Sequence, residues 1–473
     1  MTTKMKWTLL AVICMLGFTS MSFELIILRQ LINFVGSNTI ITSVVMSFIL
    51  LFLSLGYYLG SVISFAKTPI RIRIVQLLDT LALWYLLACT YETVGGSFYV
   101  MYDMGMRSSV HMVFIFSAIF LTLPSVALGF ITASIGRVIH HFNADYTGRF
   151  MAVDTIGSVG GSLLTTLFLM PMIGVAHTVV VLSIITAFAS LLVGCEKTWI
   201  NWVKFVCFAS LGLILNSRFV LPQADTLIKD DAISRMEVVS VTDDNGIKTN
   251  TMYINRQIAS VYSDGEDYTS DYVRFINDNL IDTMPKDKIH KILVLGAGGF
   301  TVGLHDMQNQ YVFVDIEKNL PQVTEEKFLE QSLSENKKFE FADAYLYMLN
   351  SKEKYDLIVV DVYSAIQSIP ENFVTADFFK LVKDHLAENG IMAANIITSS
   401  SFDNEFSRRI DNTLHYVFKK YISRQIIKTF NPYNSSLSNV MYLYYNRPVV
   451  DDTIYTIDKN SALYGQQIKW GDQ

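Results

Sequence analysis

The segment Lys291–Asp315, KILVLGAGGFTVGLHDMQNQYVFVD, constrains the fold of this chain most, because it reads in order as strand, glycine turn, short helix, strand and terminal acid. The apolar run Ile292–Leu295 is expected to be a buried strand. Gly296, Gly298 and Gly299 free the backbone to turn tightly and to approach a ligand without a Cβ in the way. Asp315 stands nineteen residues after Gly296, at the end of the second strand, where a carboxylate can accept bonds from both hydroxyls of a ribose. The order of parts suits an adenosine nucleoside.

The pattern continues downstream. Phe339–Asp343 reads as a third strand ending in an acid placed to read an adenine amino group, and Tyr355–Asp361 as a fourth, apolar through its middle and acidic at its tip. Three successive strands ending in Asp315, Asp343 and Asp361 would bring three carboxylates to the carboxyl edge of one parallel sheet. Open α/β folds bind their ligands at that edge. Each acid taken singly also fits a helix N-cap.

The chain has 473 residues and is 51% hydrophobic, which is high for a soluble protein, and the excess is concentrated in one half. Residues 1–221 carry 12 Lys+Arg and 7 Asp+Glu, leaving 25 basic and 36 acidic residues downstream. Apolar runs near Trp7–Leu28, Ile40–Phe65, Ile74–Thr90, Val110–Ile135, Phe150–Leu169, Ala176–Val193 and Val203–Leu221 approach the bilayer-crossing length. A multi-span α-helical membrane domain of about seven helices, each of roughly 20 residues, is therefore expected over 1–221. The first run has no small-residue cleavage site and stays apolar too long for a signal peptide.

Lys4, Lys6, Lys67, Arg71, Arg73, Arg137, Arg149, Lys197 and Lys204 fall almost wholly on the amino-terminal side of these spans, which marks that side as cytoplasmic. An odd number of crossings puts the acidic half outside the cytoplasm, and an even number inside. Glu24 and Arg29 are expected to pair near the interface, and Asp154, beside Gly157, Gly160 and Gly161, to serve helix packing. All four cysteines lie in the membrane half, so neither a disulfide framework nor a thiolate metal site is expected. His140 and His141 are adjacent in a loop, a spacing that does not present two metal ligands on one face.

Residues 222–285 read as a linker and a small β unit, and 286–473 as the nucleoside-binding domain. In the β unit, Ser234–Val241 and Thr249–Ile258 alternate in polarity about Asp243-Asp-Asn-Gly246, a hairpin signal. Such a unit is placed to act as a lid or as the contact of a homodimer. Further on, a helix is expected from Thr375 to Leu386, a strand over Ile391–Ile397 and a packing helix over Asn404–Tyr421. The acidic balance of this half argues against a nucleic-acid partner.

Taken together, GAGGFTVG at Gly296, VDIE at Val314, ADAY at Ala342 and DVYSAIQSIPENFVTADFF from Asp361 resemble the polyamine aminopropyltransferases of the spermidine synthase type, in the bacterial form with an amino-terminal membrane domain. The likeness covers roughly Ser234–Ile397, with a looser match at Leu123–Gly129. It implies an α/β Rossmann-like domain of the S-adenosylmethionine-methyltransferase type behind a small β-hairpin unit, in a multi-pass protein of the bacterial inner membrane. It further implies that Asp315 binds the ribose of decarboxylated S-adenosylmethionine, that Asp343 and Ala344 contact its adenine side, and that Pro370 shapes the covering loop. Asp361 would be the base that deprotonates the attacking amine, with Glu237, Tyr272 and Ser364 at the acceptor. No tightly bound cofactor is implied; the nucleoside is a co-substrate and the acceptor a polyamine such as putrescine.

Several positions depart from the family pattern. Ser364 replaces a second acid, Gly299 an acid of the glycine loop, Glu237 a glutamine, and Tyr272-Val-Arg274 a tyrosine-histidine-glutamate motif. Three readings follow: an aminopropyltransferase, a methyltransferase using S-adenosylmethionine, and a non-catalytic sensor or transporter that binds a nucleoside or polyamine.

Overall fold

The computed structural model describes residues 3–36, 39–63, 70–106, 108–142, 146–194, 198–215, 226–263, 268–363, 369–431 and 434–447. The amino-terminal part is helical: α1 Thr3–Val35, α2 Thr39–Val62, α3 Ile70–Ala88, α4 Tyr91–Asp103, α5 Ser109–Phe120, α6 Thr122–Phe142, α7 Thr147–Leu164, α8 Met170–Val193 and α9 Thr198–Leu215. Among the described residues four helical stretches are long and apolar enough to cross a membrane: Met5–Val35, Thr39–Val62, Thr122–His141 and Thr147–Val193. A fifth is added if α3 and α4, bent by 65° from one another, count as one.

That count differs from the seven runs for identifiable reasons. Val110–Ile135 is not one span, because the helix breaks at Leu121 and leaves the short α5 apart from α6. The 47-residue stretch Thr147–Val193 contains a π-helical turn at Thr165–Leu169 and a break at Gly174, where φ 82° and ψ 167° reverse the chain. The apolar part of α9 is short, Trp199–Ile214.

Helices α1 and α7 touch at glycine. A Cβ on Gly157 or Gly161 would stand 2.1 or 2.3 Å from the carbonyl oxygens of Cys14 and Phe18, as expected of small residues that let helices approach. Two other expectations need correction. Arg29 does not pair with Glu24; it bonds Asp230 at 3.3 Å and Asn33 at 2.8 Å, because strand β1 (Leu227–Asp230) delivers a carboxylate to the end of α1. His140 and His141 lie in the last turn of α6, not in a loop.

Strands β1, β2 (Arg235–Thr242), β3 (Lys248–Ile254), β4 (Gln257–Ser263) and β5 (Tyr268–Thr269) form a five-stranded antiparallel sheet in chain order. The turn between β2 and β3 is held by Asp243, whose Oδ1 accepts from the amides of Asn245 and Ile247. The run Thr249–Ile258 is not one strand. Asn255 and Arg256 adopt φ 49° and 67°, so a second two-residue turn divides it into β3 and β4.

After α10 (Asp271–Ile276) a second sheet forms from β6 (Lys291–Leu295), β7 (Gln310–Asp315), β8 (Lys337–Phe341), β9 (Tyr355–Val360), β10 (Leu386–Thr398), β11 (Ile422–Asn431) and β12 (Asn434–Tyr445). Helices α11 (Leu320–Val323), α12 (Ala344–Asn350), α13 (Ala376–Asp384) and α14 (Glu405–Phe418) are interleaved. The order is β11-β12-β10-β9-β6-β7-β8, parallel from β10 to β8 and antiparallel about β12. Both faces are buried: Ile292 and Val294 join one core with Phe300 and Phe313, Leu293 and Leu295 another with Phe378 and Ile410. That explains the unbroken apolar run of β6.

Two boundaries moved. Leu386 begins β10 instead of ending α13, and Asn389 at φ 62° makes the irregular step that realigns β10 on β9. The helix expected after the glycine turn is absent: residues 296–309 form consecutive turns, with positive φ at Gly298, Phe300 and Gly303.

Candidate active site

The strand order reverses between β6 and β9, and the glycine turn lies at that crevice. Gly296 sits at φ 88°, its amide bonded to Val314 O, and a Cβ there would stand 2.1 Å from the Asp361 carbonyl oxygen. The absent side chain therefore lets the tip of β9 lie against the tip of β6. At Gly298 and Gly299 the close neighbours are the protein's own: Ser260 and Ala259 of β4, and the Phe328 ring. Ser260 Oγ accepts from the Gly299 amide at 2.7 Å, so β4 clamps the loop.

Asp315 ends β7 and organises this turn. One oxygen accepts from the Ala297 amide at 3.0 Å and the other from the Glu317 amide at 2.9 Å. Burial pushes its carboxyl up to about 6, against the downward pull of those two amides. A ribose hydroxyl donates more strongly to the ionised form. For a ligand whose hydroxyls donate to Asp315, affinity is thus expected to weaken as pH falls through about 6, measurable by titration calorimetry.

Asp361, just past β9, is held by two donors. Asn395 Nδ2 reaches its Oδ1 at 2.9 Å, and the Tyr272 phenol donates to the same carboxylate. Behind it, Asn439 Nδ2 donates to Asn395 Oδ1 at 3.0 Å, and the Tyr363 hydroxyl donates to Asn395 O at 2.9 Å while accepting from the Ile397 amide. Burial raises the Asp361 carboxyl, and the Tyr272 and Asn395 donors oppose that rise. It also raises the Tyr272 phenol well above its ordinary range, with the adjacent carboxylate adding to the shift.

Of the residues singled out from the sequence, Gly296, Asp315, Asp361 and Tyr272 gather at the carboxyl edge of the sheet. Asp343 follows β8, is exposed and caps α12, accepting from the Leu346 amide at 2.9 Å, with Ala344 buried behind it. Pro370 opens the 3-10 turn Glu371–Val374. Ser364 lies outside the described residues. Glu237 is paired with Arg235, which binds its Oε1 at 2.6 and 2.8 Å and stacks on the Tyr91 ring of α4. Sequence reasoning missed Asn395, Asn439 and Ser260. Asn395 carried a signal, as the lone amide in the apolar run Ile391–Ile397.

An open, mostly parallel sheet with a glycine turn at its switch point and acids at its strand tips defines a Rossmann-like domain of the methyltransferase type. Residues 276–443 match the model of the spermine/spermidine synthase domain. The polyamine aminopropyltransferase of Vibrio vulnificus is 28% identical over 142 residues, 28% of this chain and 47% of the relative. That of Sulfurisphaera tokodaii is 34% identical over 142 residues, 28% of this chain and 45% of the relative. A probable spermidine synthase from Corynebacterium glutamicum, solved by crystallography, is 19% identical with a TM-score of 0.38, covering 49% of this chain and 82% of that one. The chain spans about half the length of these two curated relatives. Residues 276–443 are thus similar to the spermine/spermidine synthase domain.

Proposed function

We propose that the chain is a membrane-anchored aminopropyltransferase that moves the aminopropyl group of decarboxylated S-adenosylmethionine to a polyamine acceptor such as putrescine, giving spermidine and methylthioadenosine. The observation that carries the reading is the Asp361 carboxylate, fixed by Asn395 and Tyr272 beside the Asp315 loop. An aliphatic ammonium, with a pKa near 10, must lose a proton before its nitrogen can attack. Asp361 takes that proton. The nitrogen lone pair forms the new C–N bond to the propyl carbon as the C–S bond breaks, and the sulfonium leaves as a neutral thioether.

The turns that replace a helix after Gly296 fit this ligand class. Sheets that bind dinucleotides aim a helix N-terminus at the pyrophosphate, and a sulfonium nucleoside has no phosphate to receive it. Outward-facing apolar side chains on α2 and α7, including Leu50, Leu51, Ile156 and Leu163, support the anchoring half of the reading.

Replacing Asn395 with leucine removes a donor that favours the ionised form of Asp361. The acid limb of the kcat/KM profile should then move to higher pH, with activity well above that limb least affected. An unmoved limb would show that Asp361 does not set it.

A second reading, a non-catalytic polyamine or nucleoside sensor, draws on the engagement of Glu237 by Arg235. Nucleoside binding without any aminopropylated product, across a panel of diamines and polyamines, would favour it over the transferase.

A further inference from the structure

The direction of every long helix follows from its contacts. Cys14, Phe18 and Ser22 meet Gly157, Gly161 and Thr165 in rising order, so α1 and α7 run the same way. Phe23 against Tyr85 and Gln30 against Cys89 align α3 with them. Ser183 bonds Ala82 O, Ser190 bonds Asp79 and Arg71 bonds Val193 O, so α8 runs oppositely. Helix α2 starts within a few residues of the end of α1, and α6 lies parallel to it through Gly56 on Val126 and Arg137 on Gly60. Lys204 on Asp79 and Gly212 against Leu86 give α9 the direction of α3.

One end of the bundle therefore gathers the starts of α1, α3, α7 and α9 with the ends of α2, α6 and α8. Lys6, which lies over the Tyr146 ring, Arg71, Arg73, Arg137 and Arg149 are all at that end. The other end carries the β unit, seated by the buried pair of Arg29 and Asp230, by the Gly174 turn against Asp230 O, and by Arg256 over the Phe34 ring. Among the described residues of the helices, its acids are Glu92 and Asp103 and its base is Arg29, which is already paired. Basic residues mark the cytoplasmic side of a membrane protein.

We infer that the domain holding Asp361 stands on the non-cytoplasmic face, so that the sulfonium nucleoside and the acceptor amine are both met outside the cytoplasm. This rests on the membrane reading for the bilayer and on the transferase reading for the ligands. The orientation itself comes from helix direction and charge.

The test is a cysteine-free chain (Cys14, Cys89, Cys195 and Cys207 each replaced by alanine) carrying Asp244→Cys in the β2–β3 turn or Gly148→Cys at the start of α7. Both sites are exposed, and a Cβ on Gly148 meets nothing within 4 Å. With a membrane-impermeant maleimide on spheroplasts, Asp244→Cys should label in intact cells and Gly148→Cys only after permeabilisation. The reverse pattern, or labelling of both only after permeabilisation in a chain that resists alkaline carbonate, overturns the orientation. Release of the chain by carbonate overturns the membrane reading instead. If the cysteine-free chain does not accumulate, carboxyl-terminal fusions of the native chain decide: an active alkaline phosphatase supports the orientation, and a fluorescent green fluorescent protein contradicts it.

Discussion

Asp361→Asn is expected to lower kcat/KM for aminopropyl transfer by about 10²–10⁴-fold, the range for loss of a positioned base, with the fold intact. The amide has the size of the carboxylate and keeps an oxygen to accept from Asn395. What it loses is the ability to take a proton from the ammonium, so the effect falls on kcat and leaves nucleoside affinity near the native value. Binding of methylthioadenosine, followed beside the rate, separates this from a collapsed site. A variant that turns over normally would remove Asp361 from the role of base.

Gly296→Ala is expected to do comparable damage from one carbon atom. Its φ of 88° lies where L residues pay about 1–2 kcal/mol, and the new Cβ would meet the Asp361 carbonyl oxygen at 2.1 Å. Relief requires the tips of β6 and β9 to separate, which moves Asp361 relative to the Asp315 loop. A misplacement of order 1 Å costs about 10²-fold in rate. We therefore expect a lower unfolding midpoint together with a loss of kcat/KM near that size, whereas Gly148→Ala, with open space around it, should change neither. Native behaviour of Gly296→Ala would mean that this close approach does not set the geometry of the site.

The parallel sheet was legible because both of its faces are buried, which writes β6 as a continuous apolar run and gives β7 and β9 apolar middles with an acid at or just past the tip. Asp315 and Asp361 could be located for the same reason. Asp343 caps α12, a role that each of the three acids also fits from sequence alone. The glycines were legible as close approaches but not by partner, since β4 and Phe328 lie remote in sequence from Gly298 and Gly299. Long-range polar pairing was the least legible. Nothing local told that Arg29 would meet Asp230, or that Arg235 would lie on the Tyr91 ring of α4, because such contacts form only once the helical bundle meets the first sheet. Breaks in helices hid for another reason: Leu121 interrupts an apolar stretch without any change of polarity.

The direct measurement is a mass-spectrometric turnover assay on the detergent-purified chain, given decarboxylated S-adenosylmethionine and a panel of diamines and polyamines. Formation of methylthioadenosine in step with an amine heavier by one aminopropyl group is the expected result, and it would name the acceptor. Saturable nucleoside binding with no methylthioadenosine and no aminopropylated amine, for any member of the panel, would contradict the transferase reading.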